Sequence, residues 1–179
     1  MACISKLASA ITYNCDTGAT GLVSAMIINK ADIESFTAIG MEITNITLAA
    51  GAKAYKVDTA KRFTTVSTAI KINEGAPNAY THTATLTIMG NRGNLDTANL
   101  SNALTNGSFV VLARHAPGGI EQSLSYGMYY GLSATAFDRH SHDNAGWGYV
   151  TLSTPENVIG EDNLFISTAV YDALYAAAV

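Results

Sequence analysis

Between Ile120 and Phe137 the chain alternates. The even positions carry Ile120, Leu124, Tyr126, Met128, Tyr130, Leu132, Ala134 and Ala136, with Gln122 as the one polar exception. The odd positions are mostly small or polar: Glu121, Ser123, Ser125, Gly127, Gly131, Ser133 and Thr135. A period of two sends successive side chains to opposite faces of an extended chain, so one face is built for a core and the other for water. A helix would scatter the same residues around its circumference. Strands usually run about 3–10 residues, so a stretch this long is expected to bend or bulge at Gly127 or Gly131.

The same rhythm recurs elsewhere. In Tyr80–Met89 one face gathers Tyr80, His82, Ala84, Leu86 and Ile88 against Thr81, Thr83, Thr85 and Thr87. Phe63–Ile72 sets Val66, Ile70 and Ile72 opposite Thr65, Ser67 and Lys71, and Trp147–Thr154 alternates again. Met41–Leu48 changes phase between Ile43 and Ile46, which places a bulge near Thr44-Asn45. Leu22–Asn29 and Phe109–Ala113 are continuous apolar runs, the pattern of strands covered on both faces, and Asn163–Thr168 is a weaker strand. The many threonines fit a pleated surface, because their branched Cβ restricts the side chain in a way strands tolerate.

One segment has helical spacing. Leu100, Ala103 and Leu104 share a face within Asn94–Asn106, Asn94 or Asp96 can cap its start, and Gly107 supplies a stop. A short helix is also expected at Ala169–Ala178. No repeat, Pro-rich linker or charge block divides the 179 residues, so they read as a single domain with extended N- and C-terminal arms. The fold class expected is mainly β, a sandwich or barrel of antiparallel strands with one flanking α-helix.

Composition narrows the function. Only 13% of residues are charged and the net charge is −4. DNA-gripping proteins need a Lys/Arg patch to displace counterions from phosphate, whereas the densest basic group here is Lys53, Lys56, Lys61 and Arg62. That group reads as a solvated hairpin tip. Low charge also leaves little to keep a lone copy in solution, which favours an oligomer. No apolar stretch approaches the ~20 residues of a membrane span. Met1–Ile11 lacks the leading positive charge and continuous apolar run of a signal peptide, so it reads as mature sequence. The spacing of Cys3 and Cys15 fits neither a redox pair nor a zinc pair, and two free thiols of a protein made in a reducing cytosol are expected.

Reactive side chains are few and dispersed. In Arg139-His140-Ser141-His142-Asp143 two imidazoles could offer themselves to a metal, but no further ligand lies nearby and the segment reads as a loop. His82 sits on the apolar face of its strand, where a hydrogen-bonded core histidine is the simpler reading. No G-x-S-x-G elbow and no phosphate-binding glycine loop is present. Met89–Asn94 is a turn ahead of a helix cap, and Asp16-Thr17-Gly18 has no partner triplet. Tyr126, Tyr129, Tyr130, Trp147 and Tyr149 could stack on a sugar or base, although cross-strand packing uses such rings in the same way. No catalytic, cofactor-binding or metal-binding residue is assigned and no cofactor is expected, so the chain reads as a non-enzyme.

The order of elements adds a resemblance. Ile27–Ile33 is followed by a β-hairpin across Met41–Ile72, the Thr-rich strand Tyr80–Met89 and a lone helix feeding Phe109–Arg114. A strand through Tyr126–Leu132 then pairs with Gly146–Leu152. This arrangement resembles the tail tube proteins of tailed bacteriophages and related contractile injection systems. Ile27–Ile33, Val111–Arg114 and Tyr126–Leu132 are also similar to stretches of virion structural proteins of phages infecting Bacteroidetes. The resemblance implies hexameric rings stacked into a hollow tube in the virion tail. Other tail proteins would be partners, no membrane would be involved, and DNA would pass through the lumen without specific binding, helped by the negative net charge. It implies that the loop Ala49–Ala60 reaches a neighbouring ring and that the termini, Met1–Ile11 and Ala169–Val179, fold on a partner subunit. Competing readings are a head-decoration or connector protein, a carbohydrate-binding β-sandwich using Trp147 and the tyrosines, and a metal-dependent enzyme built on His140 and His142.

Overall fold

A computed structural model describes residues 21–57, 59, 64–72, 74–75, 78–88, 102–116, 121–139 and 148–179. Among the described residues there are eleven strands: β1 (Leu22–Asn29), β2 (Ile33–Ile39), β3 (Glu42–Leu48), β4 (Tyr55–Val57), β5 (Thr64–Lys71), β6 (Ala79–Ile88), β7 (Ser108–His115), β8 (Gln122–Tyr126), β9 (Leu132–Arg139), β10 (Gly148–Ser153) and β11 (Leu164–Ile166). Residues 102–106 are helical (α1), and α2 spans Thr168–Ala177. The strands form one mixed sheet whose main path runs β2-β3-β11-β8-β7-β9-β10-β6-β5, with β1 joined to β7 and to β4.

The apolar runs decide the centre. β1 and β7 pair antiparallel from Leu22–His115 to Asn29–Phe109, and both are covered on both faces. Ala25, Ile27, Phe109, Val111 and Ala113 point into one core with Ala84, Leu86, Leu132, Val150 and Leu152 of β6, β9 and β10. Met26, Ile28, Val110 and Leu112 point the other way, onto Ile43, Ile166 and Tyr171 of β3, β11 and α2. Val110, Val111 and Leu112 are wholly buried. Each such side chain contributes roughly 1.5–3 kcal/mol relative to exposure, so β7 is where the two layers of the sandwich are held together.

The long alternating stretch forms two strands along one edge of β7. β8 pairs with Val111–His115 and β9 with Ser108–Phe109. Between them the chain turns tightly: Gly127 and Gly131 both have positive φ, 76° and 74°, and the Gly131 N–H donates to the Gly127 carbonyl at 2.8 Å. Left-handed backbone costs glycine little, which is why both positions carry it.

Three expectations are corrected. No hairpin spans Met41–Ile72: β3 pairs with β2 and β11, while β5 pairs with β6. The stretch Tyr126–Leu132 is mostly turn, and the partner of β10 is β9. The C-terminal residues are not an arm awaiting a partner. They form α2, whose Tyr171 is wholly buried in this chain's own core, and Val179 exchanges backbone hydrogen bonds with Ala54 and Lys56. The bulge near Thr44-Asn45 is present, as a register shift where Thr37–Ala38 faces Ile43 and Asn45. Met1–Ile11, Cys3, Cys15, Lys61, Arg62, His140, His142, Asp143, Trp147 and residues 94–101 of the expected helix lie outside the described residues.

Candidate functional site

His82 carries the densest polar network. Its β6 position points it into the core beside Ala84, and it has no exposed surface. Its Nδ1 lies 2.9 Å from Thr68 Oγ1 on β5, and its Nε2 lies 2.7 Å from the Glu161 carbonyl oxygen, so Nε2 carries a proton and donates it. The Thr68 hydroxyl also donates to Asn163 Oδ1 at 3.1 Å. The backbone N–H of His82 donates to Thr154 Oγ1 at 2.9 Å, and the Tyr80 N–H donates to the Gly160 carbonyl at 3.1 Å. With both ring nitrogens within hydrogen-bond distance of a partner, His82 ties the segment after β10 to the β5–β6 pair. The core-histidine reading is correct.

The side chain of Glu161 extends that tie. Its Oε1 accepts the Tyr129 N–H at 3.0 Å, which fixes the 127–131 turn, while Oε2 is buried with no hydrogen-bond partner among the described residues. Tyr129 meets Phe36 edge-on at 5.2 Å. Among the described aromatics considered for ligand stacking, Tyr126 is buried, Tyr129 and Tyr130 are half-exposed on the turn, and Tyr149 sits on the outer side of β10 from Val150. They do not form one platform.

A second cluster joins α2 to the sheet. Arg114 on β7 donates through Nε to Ser123 Oγ at 3.2 Å, and its two terminal nitrogens meet Asp172 at 2.7 Å and Glu121 at 3.3 Å. The guanidinium lies 4.3 Å from the centre of the Tyr171 ring, and the Tyr171 hydroxyl meets Ser24 Oγ at 2.9 Å. Both carboxylates are more than half exposed, so each ion pair contributes only about 0.2–1 kcal/mol. Burial pushes the Tyr171 hydroxyl above its ordinary pKa. Nearby, His115 Nε2 lies 3.0 Å from the Tyr126 hydroxyl. Burial lowers the pKa of His115 and raises that of Tyr126 to about 12, so both stay neutral near pH 7.

An open depression of about 220 Å³ lies over Lys71, Tyr80, Thr154 and Glu156, and the Lys71 ammonium there donates to the Glu156 carbonyl oxygen at 3.1 Å. Among the described residues no group of three His, Cys, Asp or Glu side chains converges to hold a metal. No described helix is long and apolar enough to cross a membrane.

The unfinished parts of the molecule are its sheet margins. Among the described residues no strand pairs with the outer edge of β2, nor with that of β5 from Thr65 to Lys71. Large apolar side chains accompany both margins. Ile39 is 71% exposed at the end of β2, with Met41 and Phe165 beside it. Ile70 and Ile72 are 64% and 80% exposed at the end of β5. Neither family models nor curated proteins nor solved structures yield a match to this chain.

Proposed function

We propose that this chain is a structural subunit that assembles with copies of itself, and that its job is the tail tube of a tailed phage. The observation that carries the reading is the pair of strand edges, on β2 and β5, that no described strand covers, each with exposed isoleucine beside it. An unpaired edge is a row of backbone donors and acceptors waiting for another strand, and proteins that stay monomeric usually blunt such edges with charges, proline or a covering segment. Here the outer strands carry one charged residue each. Repeating a heterologous contact by rotation closes a ring, and rings of a net-negative chain repel the DNA that passes through them. The element order that resembles tail tube proteins supports the more specific assignment. Other tail proteins are its further partners, and the virion is its place.

Negative-stain electron microscopy of the concentrated protein tests the proposal. Rings or short tubes of uniform width are expected. Dispersed compact particles of single-chain size at every concentration would contradict it.

A further inference from the structure

We infer that His82 is a proton-operated latch. With a hydrogen on both ring nitrogens it clamps the 154–163 segment onto the β5–β6 pair, and loss of the Nδ1 hydrogen loosens that clamp. The inference is independent of the self-assembly reading above.

Counting hydrogens leads to it. Nε2 lies 2.7 Å from the Glu161 carbonyl oxygen, which can only accept, so this nitrogen carries one. Nδ1 lies 2.9 Å from Thr68 Oγ1, and the same hydroxyl donates to Asn163 Oδ1 at 3.1 Å. A threonine hydroxyl has one hydrogen to give. With that hydrogen on the Asn163 side, Thr68 offers Nδ1 only lone pairs, and a bare Nδ1 would set lone pair against lone pair. A hydrogen on Nδ1 resolves the conflict: Nδ1 donates to Thr68, Thr68 donates to Asn163, and Nε2 donates to Glu161. The neutral ring cannot satisfy all of these contacts, because two acceptors then compete for one hydroxyl hydrogen.

Burial opposes a charged ring, since water stabilises the charge better than a core does, and His82 has no exposed surface. The surroundings offset that cost. Each ring nitrogen has an acceptor within 2.9 Å, and hydrogen bonds from a charged donor are about twice as strong as neutral ones. The titratable groups on the packed elements add no positive charge. They are Tyr126 of β8, whose ring meets His82 edge-on at 5.7 Å, with the neutral His115 behind it, and Glu161 and Asp162 of the segment itself. Lys71, the one charged residue of β5, lies on the opposite face from Thr68, and β10 has none. Glu161 Oε2 is buried with no hydrogen-bond partner among the described residues, and a positive ring bonded to the carbonyl of the same residue lowers the cost of burying it.

The latch reaches beyond the ring. Asn163 directly precedes β11, which joins β3 to β8. Glu161 holds the Tyr129 N–H at 3.0 Å, so a loosened segment also loosens the 127–131 turn and its half-exposed Tyr129 and Tyr130. Removing one hydrogen from the core thus changes how firmly two surface tyrosines are placed. The sense is fixed by the count above: the segment is held while the ring is charged and slackens as rising pH strips Nδ1.

Nitrogen NMR of the histidine rings, read beside amide hydrogen exchange, is the test. The Tyr80 and Tyr129 amides donate to Gly160 and Glu161, so their protection reports whether the segment is in place. At every pH where they are protected, both His82 ring nitrogens should read as protonated. Where rising pH strips Nδ1, protection should fall about two- to tenfold, the range of one lost hydrogen bond. A protected segment over a bare Nδ1 would overturn the proposal, as would amides unprotected at every pH. Variants separate the latch from packing alone. Thr68→Val keeps the shape without the hydroxyl, so it should leave Nδ1 bare and bring the same loss of protection, while Thr68→Ser should behave as wild type. Asn163→Asp keeps an acceptor and should hold the segment at least as well as wild type; Asn163→Leu should not. Equal loosening by aspartate and leucine would mean that Asn163 gives a hydrogen to Thr68 instead of taking one, and would overturn the proposal. None of these readouts depends on whether copies assemble, so the two proposals fail separately.

Discussion

Replacing Tyr171 with alanine measures how far the C-terminal helix belongs to this chain's own core. The ring is wholly buried, its hydroxyl meets Ser24, Arg114 lies over one face, and Tyr175 stacks on it with 5.9 Å between centroids. Emptying the site of a large aromatic costs about 3–5 kcal/mol, a transfer term plus a cavity term. Tyr171→Phe removes only the hydroxyl and its hydrogen bond, about 1 kcal/mol. In a domain of this size 1 kcal/mol at the midpoint moves Tm by roughly 2–4 °C. Thermal unfolding followed by far-UV circular dichroism should therefore show a drop of about 6–20 °C for alanine and about 2–4 °C for phenylalanine. The protein must be dilute, because assembly would add its own stabilisation. A Tyr171→Ala midpoint within 2 °C of wild type, the same as Tyr171→Phe, would refute the packing of α2 on its own sheet and return the helix to the role of an arm.

Two further perturbations follow from single residues. Burial lowers His115 below its ordinary pKa of 6.5, so the unfolded chain takes up a proton before the folded one does; stability should be full above about pH 6.5 and decline as pH falls through the folded value. Urea midpoints measured from pH 7.5 to 4.5 should show that decline, and His115→Gln should flatten it; an unchanged slope in the variant would count against the assignment. A methyl group at Gly160 would land on the Tyr80 carbonyl oxygen, so Gly160→Ala should cost about 1–3 kcal/mol through overpacking. Chemical denaturation should register that loss, and an alanine variant as stable as wild type would show that the tie between Gly160 and β6 yields freely.

Much of the fold is legible in the sequence because burial writes itself as period. β1 and β7 are covered on both faces and read as unbroken apolar runs. β6, β9 and β10 face the core on one side and alternate. Where the period misleads, the reason is local. Met128 and Leu132 keep the rhythm of a strand across the 127–131 turn, so two strands look like one in period; the break is marked by the glycines at 127 and 131, where the sequence already placed a bend or bulge. β2 is missed because Ile33 extends the apolar run Ile27–Ile28 across Lys30-Ala31-Asp32, a short 3₁₀ turn. β4 has three residues, and only its ladder with Ala25–Ile27 makes it a strand. The candidate interface is less legible still. Thr65–Lys71 and Ile33–Ile39 have the texture of any half-exposed strand, and what makes them margins is the order in which other strands pair. His82 is the reverse case, since its place on an apolar face already reads as a buried, hydrogen-bonded ring.

The central claim is that the β2 and β5 edges, which no described strand covers, make this a building block for copies of itself. Sedimentation velocity across a hundredfold concentration range, comparing wild type with Ala69→Lys on the exposed β5 margin, tests it most directly. The account predicts that wild type passes from single chains to a discrete closed species or longer stacks, while the lysine variant stays folded and single. A wild-type protein that remains a single chain throughout, or a variant that assembles just as well, would contradict it.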